Sequence, residues 1–384
     1  MDETKNDQTI LIPEEWSESV HRIASSSNSS SSPPISLICG PKNSGKSTFS
    51  RLLVNTLLQN PRYSAVAYLD TDVGQPEFTP PGCLSLNLIT QPFPDMTTMY
   101  VMTPYRCIFF GDLSSKRDPE TYKKSIFSLY DDFVTLSKKR GNPGKPMLPL
   151  VINTPGWVKG TGYDLLVSML RYISPTHVVQ IRISVQIKNL PLGAFWLDEQ
   201  ELGPEGLDVM EIYSAENDSF GNSLLTPKNA KHMRDMRMRS YFRQCFPSNI
   251  MGSSLKEFVY ALCSHPPYEV PISSVKVIHV HEQVPSREIY RTLNATIVGL
   301  AVSSKKLKGG EPVTTYCVGL GIVRAIDISK KLLYILTPVP HRDLINVDLL
   351  LQGYIEIPVG WLEVQGCRSP YVSENVLPFL GTCY

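Results

Sequence analysis

Gly40-Pro41-Lys42-Asn43-Ser44-Gly45-Lys46-Ser47-Thr48 fits the phosphate-binding pattern G-x-x-x-x-G-K-[ST]. Upstream, Ile35-Ser-Leu-Ile-Cys39 is a short apolar run of the kind that forms a buried strand. Downstream, Phe49, Leu52, Leu53, Thr56 and Leu57 recur at helical spacing. The glycines at 40 and 45 let the backbone curl until successive N–H groups point inward around a phosphate. A helix beginning near Lys46 adds the partial positive charge of its N-terminus. In that frame Lys46 reaches the β- and γ-phosphates, and the Ser47 hydroxyl is placed for Mg²⁺. The run therefore predicts a nucleoside triphosphate site held by Gly40 to Thr48.

Outward from this motif the chain alternates between two textures. Strand-like runs lie at 35–39, 64–69, 107–110, 148–153 and 178–183, and helical patterns at 46–59, 120–139 and 162–172. Such alternation predicts an α/β fold, a P-loop NTPase with a mostly parallel sheet and helices on both faces. Residues 190–228 are turn-rich. After the proline punctuation at 266–271, short alternating runs at 275–281, 294–301, 315–327, 332–337 and 354–357 predict a smaller β-rich C-terminal domain. At the other end, Ile10-Leu11-Ile12 and Trp16 suggest a short element packing on the core, and the serine-rich stretch Ser25–Pro34 reads as a tether. The expected division is residues 1–34 as N-terminal segment, 35–265 as P-loop domain and 266–384 as β-rich domain. No internal repeat is evident.

Composition narrows the class. The chain has 384 residues, 42% of them hydrophobic, which is enough for two full cores. No apolar run reaches the length of a membrane span. A net charge of +1 confines any nucleic-acid contact to local patches. The eight cysteines include no C-x-x-C pair and several lie inside apolar runs, which fits buried free thiols in a reducing compartment and argues against a zinc site. The polar N-terminus has no signal-peptide core, and no basic cluster stands out as a nuclear localisation signal.

P-loop proteins differ in where their carboxylates sit. A GTPase needs N-K-x-D, which is absent, and an Asp heading D-x-x-G, where this chain has Asn153-Thr-Pro-Gly156. The carboxylates lie instead in Asp70-Thr-Asp72-Val-Gly-Gln75, at the end of the second predicted strand. Ligands of open α/β sheets bind at the carboxyl ends of strands. If the strand stays extended, Asp70 and Asp72 point the same way. One of them holds metal-bound water and the other accepts a proton from an attacking hydroxyl, the combination phosphoryl transfer requires. Lys231–Arg243 carries five cationic side chains in thirteen residues, Arg234 and Arg237 sharing one face if it is helical. That segment suits a lid over the transferring phosphoryl group, or a solvated basic face with Met233, Met236 and Phe242 turned inward. Trp157 follows the Asn153–Gly156 turn at a strand end and offers either a base-stacking surface or rim packing.

Taken together, Gly40–Thr48, the block Asp70-Thr-Asp-Val-Gly-Gln-Pro-Glu-Phe-Thr-Pro-Pro-Gly82 and Asn153-Thr-Pro-Gly-Trp-Val-Lys-Gly160 resemble the RNA polynucleotide 5′-hydroxyl-kinase family, in its nucleolar pre-rRNA-processing branch. Gly111-Asp-Leu-Ser114, Pro175-Thr-His177, Arg234-Asp-Met-Arg237 and Leu293-Asn-Ala-Thr-Ile-Val-Gly-Leu300 agree, so the resemblance covers about 35–365. It implies transfer of the γ-phosphate of ATP to the 5′-hydroxyl of an RNA end, with ATP and Mg²⁺ required. Carried over by position, Lys46 binds phosphate, and Ser47 (or Thr48) and Asp70 belong to the metal. Asp72 becomes the general base, Trp157 stacks the terminal base, Gln75 positions it, and Arg234 and Arg237 are lid arginines. The branch implies a nuclear, nucleolar location, a pre-rRNA endoribonuclease as partner, no membrane, and processing in the second internal transcribed spacer of large-subunit pre-rRNA. Members usually carry a sizeable domain before the P-loop, whereas 39 residues precede Gly40 here, so RNA and nuclease contacts made by that domain are the ones affected. The rival reading is an ATP-binding scaffold of an RNA-processing complex. A scaffold needs only the cradle, and the company of Asp70, Asp72 and two lid-type arginines favours the enzyme.

Overall fold

The computed structural model describes residues 12–29, 32–96, 98–140, 148–198, 206–215, 230–247, 254–285, 288–303 and 315–362. Of the run Ile10–Ile12 only Ile12 falls among them, as do only parts of the turn-rich stretch 190–228. Seven strands make the first sheet: β1 (Ile35–Cys39), β2 (Val66–Asp70), β3 (Cys83–Ile89), β4 (Arg106–Phe109), β5 (Leu150–Asn153), β6 (His177–Arg182) and β7 (Asp208–Tyr213). Their order is β4-β3-β2-β5-β1-β6-β7. The pairings β2–β5, β5–β1, β1–β6 and β6–β7 are all parallel. Helices α1 (Glu14–Ser29), α2 (Lys46–Leu58), α3 (Pro119–Arg140) and α4 (Gly160–Ile173) accompany the sheet. The P-loop α/β fold is thus the one expected. Residues of β2, β5 and β6 are buried on both faces, which is why these strands read as unbroken apolar runs. Two strands of this sheet escaped the sequence reading. β3 follows directly on the proline-rich block, and β7 is a short edge strand whose alternation buries only Met210 and Ile212.

The serine-rich stretch differs from the tether expected of it. Helix α1 runs on to Ser29. Trp16, Val20 and Ile23, at i, i+4 and i+7, form its buried stripe. The hydroxyls of Ser25 and Ser26 donate back to the carbonyls of His21 and Ile23, so serine finds its partners within the helix. Trp16 is buried to 2% exposure, meets Phe49 edge-on at 5.5 Å, and donates its Nε1 to the carbonyl of Tyr213 at 2.7 Å. Trp16→Ala should cost about 3–5 kcal/mol, the usual range for truncating a buried aromatic. A thermal melt superimposable on that of the parent would contradict this packing role.

By compactness the chain divides into two units: Met1–Thr71 with Leu86–Tyr100 and Ile126–Thr226, and Asp72–Ser85 with Val101–Ser125 and Pro227–Tyr384. The linear order of the sequence is therefore not the order of packing. The second unit holds α5 (Ala230–Phe242), α6 (Leu255–Ser264), β8 (Tyr268–Pro271), β9 (Lys276–His279), α7 (Ile289–Leu293), β10 (Ile297–Val302), β11 (Tyr316–Asp327), β12 (Leu332–Leu336), α8 (His341–Leu344), β13 (Leu349–Gln352) and α9 (Val359–Leu362). Its sheet has the order β8-β12-β11-β10-β13-β9, antiparallel except for the parallel pair β13–β9. The sheet is buried on both sides. Ile297, Leu320, Ile322, Leu349 and Leu351 pack with Met238 and Phe242 of α5 and Val259 and Leu262 of α6. Val298, Leu300, Val323, Leu333 and Leu350 form a second cluster. The alternating run 354–357 is not a strand; Ile355 and Ile357 are buried without ladder partners, while the unbroken Leu349–Leu351 is β13. Every cysteine among the described residues is a free thiol. No helix among them is long and apolar enough to cross a membrane.

Candidate active site

In the first unit the cradle begins where β1 ends. Gly40 has φ 145°, and a Cβ there would lie 2.2 Å from the carbonyl oxygen of Ile181 on β6. Asn43 and Gly45 both adopt positive φ, 62° and 94°. Gly45 also faces the Trp16 ring, which a Cβ would approach to 2.6 Å, so α1 buttresses the loop at the residue where only glycine fits. Helix α2 starts at Lys46 with Gly45 as its N-cap, no side-chain cap and no acidic residue in its first turn. A glycine N-cap has no side chain to occupy the helix N-terminus, and a first turn without acidic residues suits an anion site. Lys46 is 8% exposed and donates through Nζ to the carbonyls of Gly40 and Pro41 at 3.2 and 2.6 Å. Its ammonium pulls the Cys39 thiol down, but burial outweighs it and pushes that thiol up to about 12. Ser44 is fully buried, Ser47 and Thr48 are half-buried, and Lys42 and Asn43 are exposed.

Strand register brings a second group to the same sheet edge. Asp70 pairs with Asn153, and Asn153 in turn pairs with Ile38, so the ends of β2, β5 and β1 lie side by side. Asp70 is fully buried and accepts a hydrogen bond from Asn153 Nδ2 at 3.3 Å. The Asn153 Oδ1 is buried with no hydrogen-bond partner among the described residues. Thr154 donates to the carbonyl of Ile38 at 2.7 Å, and Thr71 to that of Asn153 at 2.8 Å, stitching the three strand ends together. Beyond them, a Cβ on Gly156 would sit 2.4 Å from the Lys42 nitrogen, so the 153–157 turn lies directly on the phosphate loop. Trp157 is half-buried, its ring against Gly162 in the first turn of α4.

In the second unit the remaining candidates also gather. β2 ends at Asp70, so strand alternation does not extend to Asp72. Instead Asp72 Oδ1 accepts the N–H groups of Gly74 and Gln75, each at 2.9 Å, an Asx turn that fixes the carboxylate. Two residues beyond Gln75, the carbonyl of Glu77 accepts a hydrogen bond from Arg237. Arg237 is 9% exposed and Arg234, a turn earlier on α5, is half-buried. The face turned inward carries Met238 and Phe242, whereas Met236 is exposed. Asn153, Trp16 and Glu77 were not singled out from the sequence as parts of the site. Trp16 was expected only to belong to a short element packing on the core.

Residues 40–191 match the family described as the P-loop of mRNA cleavage and polyadenylation factor CLP1, and residues 263–358 match the NOL9-like C-terminal domain. The polynucleotide 5′-hydroxyl-kinase NOL9 of Arabidopsis thaliana is 53% identical over 379 residues, covering 98% of this chain and 99% of that protein. The human protein of the same name is 33% identical, covering 91% of this chain and 52% of its own length. The polynucleotide 5′-hydroxyl-kinase grc3 of Schizosaccharomyces pombe is 28% identical over 95% of this chain and 55% of that one. The chain thus spans nearly all of the plant relative and about half of the other two. Among solved structures, the wild-type Clp1p–Pcf11p complex aligns with a TM-score of 0.59 at 16% identity, over 88% of this chain and 78% of that one, a likeness of fold.

Proposed function

This chain belongs to the polynucleotide 5′-hydroxyl-kinase family, and from that premise we propose that it transfers the γ-phosphate of ATP to the 5′-hydroxyl end of RNA. The observation that carries the reading is a cradle with a glycine N-cap, a first turn free of acidic residues and a buried lysine, whose neighbouring strand ends supply a buried carboxylate and a buried amide. In the proposed reaction the RNA 5′-oxygen attacks the γ-phosphorus, the bond from that phosphorus to the β-bridging oxygen breaks, and ADP leaves. The hydroxyl proton passes to Asp72, whose turn holds the carboxylate in one orientation. Lys46 and the amides of residues 40–48 stabilise the charge on the phosphates. Arg234 and Arg237 contribute positive charge from α5, Trp157 offers its ring to the terminal base, and Gln75 positions that end.

The residues at the strand ends suit Mg²⁺. Among the described residues no three His, Cys, Asp or Glu side chains cluster as a metal cage, and Mg²⁺ in phosphoryl-transfer sites needs none, since it keeps waters and substrate phosphates as ligands. The oxygens of Ser47 and Asp70 are hard donors of the right kind, and the unpartnered Asn153 Oδ1 adds a third. Bound there, the ion neutralises charge on the phosphates. We further propose, from the kinship with NOL9 and grc3, that the activity serves pre-rRNA processing in the nucleolus, on ends left by a pre-rRNA endoribonuclease partner.

The test is transfer of labelled γ-phosphate from ATP to a short 5′-hydroxyl RNA, with a 5′-phosphorylated RNA alongside and each reaction run with and without Mg²⁺. Label on the hydroxyl RNA alone, dependent on Mg²⁺, is the expected result. ATP binding without any transfer would leave a nucleotide-dependent scaffold in place of the enzyme.

A further inference from the structure

Gly111-Asp-Leu-Ser114 has no part in the roles above, yet within the second unit it lies against the turn that holds Asp72. A Cβ on Gly74 would come 3.0 Å from the carbonyl oxygen of Leu113. A relay of backbone hydrogen bonds ties the same two segments together. Gly82 donates to the carbonyl of Val73 at 2.8 Å, and its own carbonyl accepts the N–H groups of Phe110 and Gly111 at 2.9 and 3.0 Å. The Gly111 carbonyl in turn accepts the Tyr354 N–H at 2.6 Å. The relay thus runs from the residue next to Asp72 to the end of β13.

Tyr354 reaches that place through the parallel pair of its sheet. β9 and β13 run side by side with His279 opposite Gln352, so the segments leaving their carboxyl ends emerge together. One carries His281 and Glu282, the other Tyr354. The His281 side chain, 2% exposed, stacks on the Tyr354 ring at 5.6 Å and 11° and meets Phe110 edge-on at 4.9 Å. The Tyr354 hydroxyl donates to Glu282. Arg117 lies over the ring so held, 3.9 Å from its centre, and donates through Nε to Asp112 at 2.9 Å. Asp112 Oδ1 accepts the Ser114 N–H at 3.1 Å, a bend around Leu113 whose carbonyl meets Gly74. We propose that Tyr354 is a positioning residue for phosphate transfer. Through Arg117 and Asp112 it fixes the 111–114 loop, and that loop fixes the turn in which Asp72 meets the acceptor hydroxyl. The inference rests on the role given to Asp72 above. A misplacement of about 1 Å can cost about 10²-fold in rate even when the altered residue is remote from the chemistry. The Arg117 side chain is 55% exposed, and an exposed ion pair adds little to stability, so the effect falls on turnover.

Transfer kinetics on the full chain with a 5′-hydroxyl RNA, and a thermal melt of each preparation, test the link. Tyr354→Ala should lower kcat about 10–100-fold with KM for ATP and RNA unchanged, as for an interaction felt only in the transition state. Tyr354→Phe keeps the ring beneath Arg117 and should retain the parental kcat. Arg117→Leu should lower kcat in the same way at an unchanged melting midpoint, and it decides the matter if Tyr354→Ala does not fold. The two substitutions together should cost no more than either alone, because both break one link. Parental kcat in Arg117→Leu, a rise in KM at constant kcat, equal losses in Tyr354→Phe and Tyr354→Ala, or additive losses in the double variant each overturn the positioning role. A parent that transfers no phosphate, or normal turnover in Asp72→Asn, overturns the underlying reading instead, and neither outcome resembles failure of the link alone.

Discussion

Lys46→Ala should lower kcat/KM for phosphate transfer by about 10²–10³-fold, the range for removing one preorganised charge-stabilising donor. The side chain is 8% exposed and its Nζ lies within hydrogen-bond distance of the carbonyls of Gly40 and Pro41, inside the loop it would serve. Alanine is a good helix former at the first residue of α2 and leaves the glycine conformations at 40 and 45 untouched. The fold should therefore survive, with a melting midpoint close to the parent's. Transfer assays and thermal melts on the same preparation check both halves. Normal turnover in a well-folded variant would remove the lysine from the mechanism.

Asp72→Asn should abolish measurable transfer while ATP still binds, a loss of about 10²–10⁴-fold for removing a general base. The substitution is a clean one because the amide oxygen of asparagine can accept the same N–H groups of Gly74 and Gln75 that Oδ1 accepts now. The turn keeps its shape and only the proton acceptor is lost. Calorimetry with ATP beside the transfer assay distinguishes the two possible duties of the carboxylate. If ATP affinity falls together with transfer, Asp72 belongs to the metal rather than to the acceptor hydroxyl, and the roles given to Asp70 and Asp72 exchange.

Much of the first unit was legible because its signals are local. The cradle, β1 and α2 follow from one nine-residue run and its flanks, and β2, β5 and β6 from apolar runs buried on both faces. Where the reading failed, burial and pairing had come apart. Ile355 and Ile357 alternate because every second side chain is buried, yet they belong to no strand. Leu349–Leu351 shows no alternation because its neighbours fill two different clusters, so β13 was hidden. The serines of α1 looked like a linker by composition, and only the spacing of Trp16, Val20 and Ile23 betrayed a helix. At the site, Asp70 and Asp72 were found by type, but their geometry was not. The strand ends between them, and a turn rather than the pleat orients the second. Asn153 carries no charge, and its place beside Asp70 depends on a pairing 83 residues apart in sequence.

The buttress behind Gly45 also sets an order of assembly. Trp16 is held on one side by Phe49 and on the other by a hydrogen bond to Tyr213, 197 residues further along the chain. Helix α1 is tied to the same edge strand by Glu15, which accepts the Tyr213 N–H, and by the Arg22–Asp208 ion pair. As the chain leaves the ribosome, the whole phosphate-binding motif emerges long before its support can close. Such distant pairings form late, after the loop entropy between them has been overcome. The cradle is thus spelled out among the first fifty residues and becomes rigid only when the last strand of its sheet arrives.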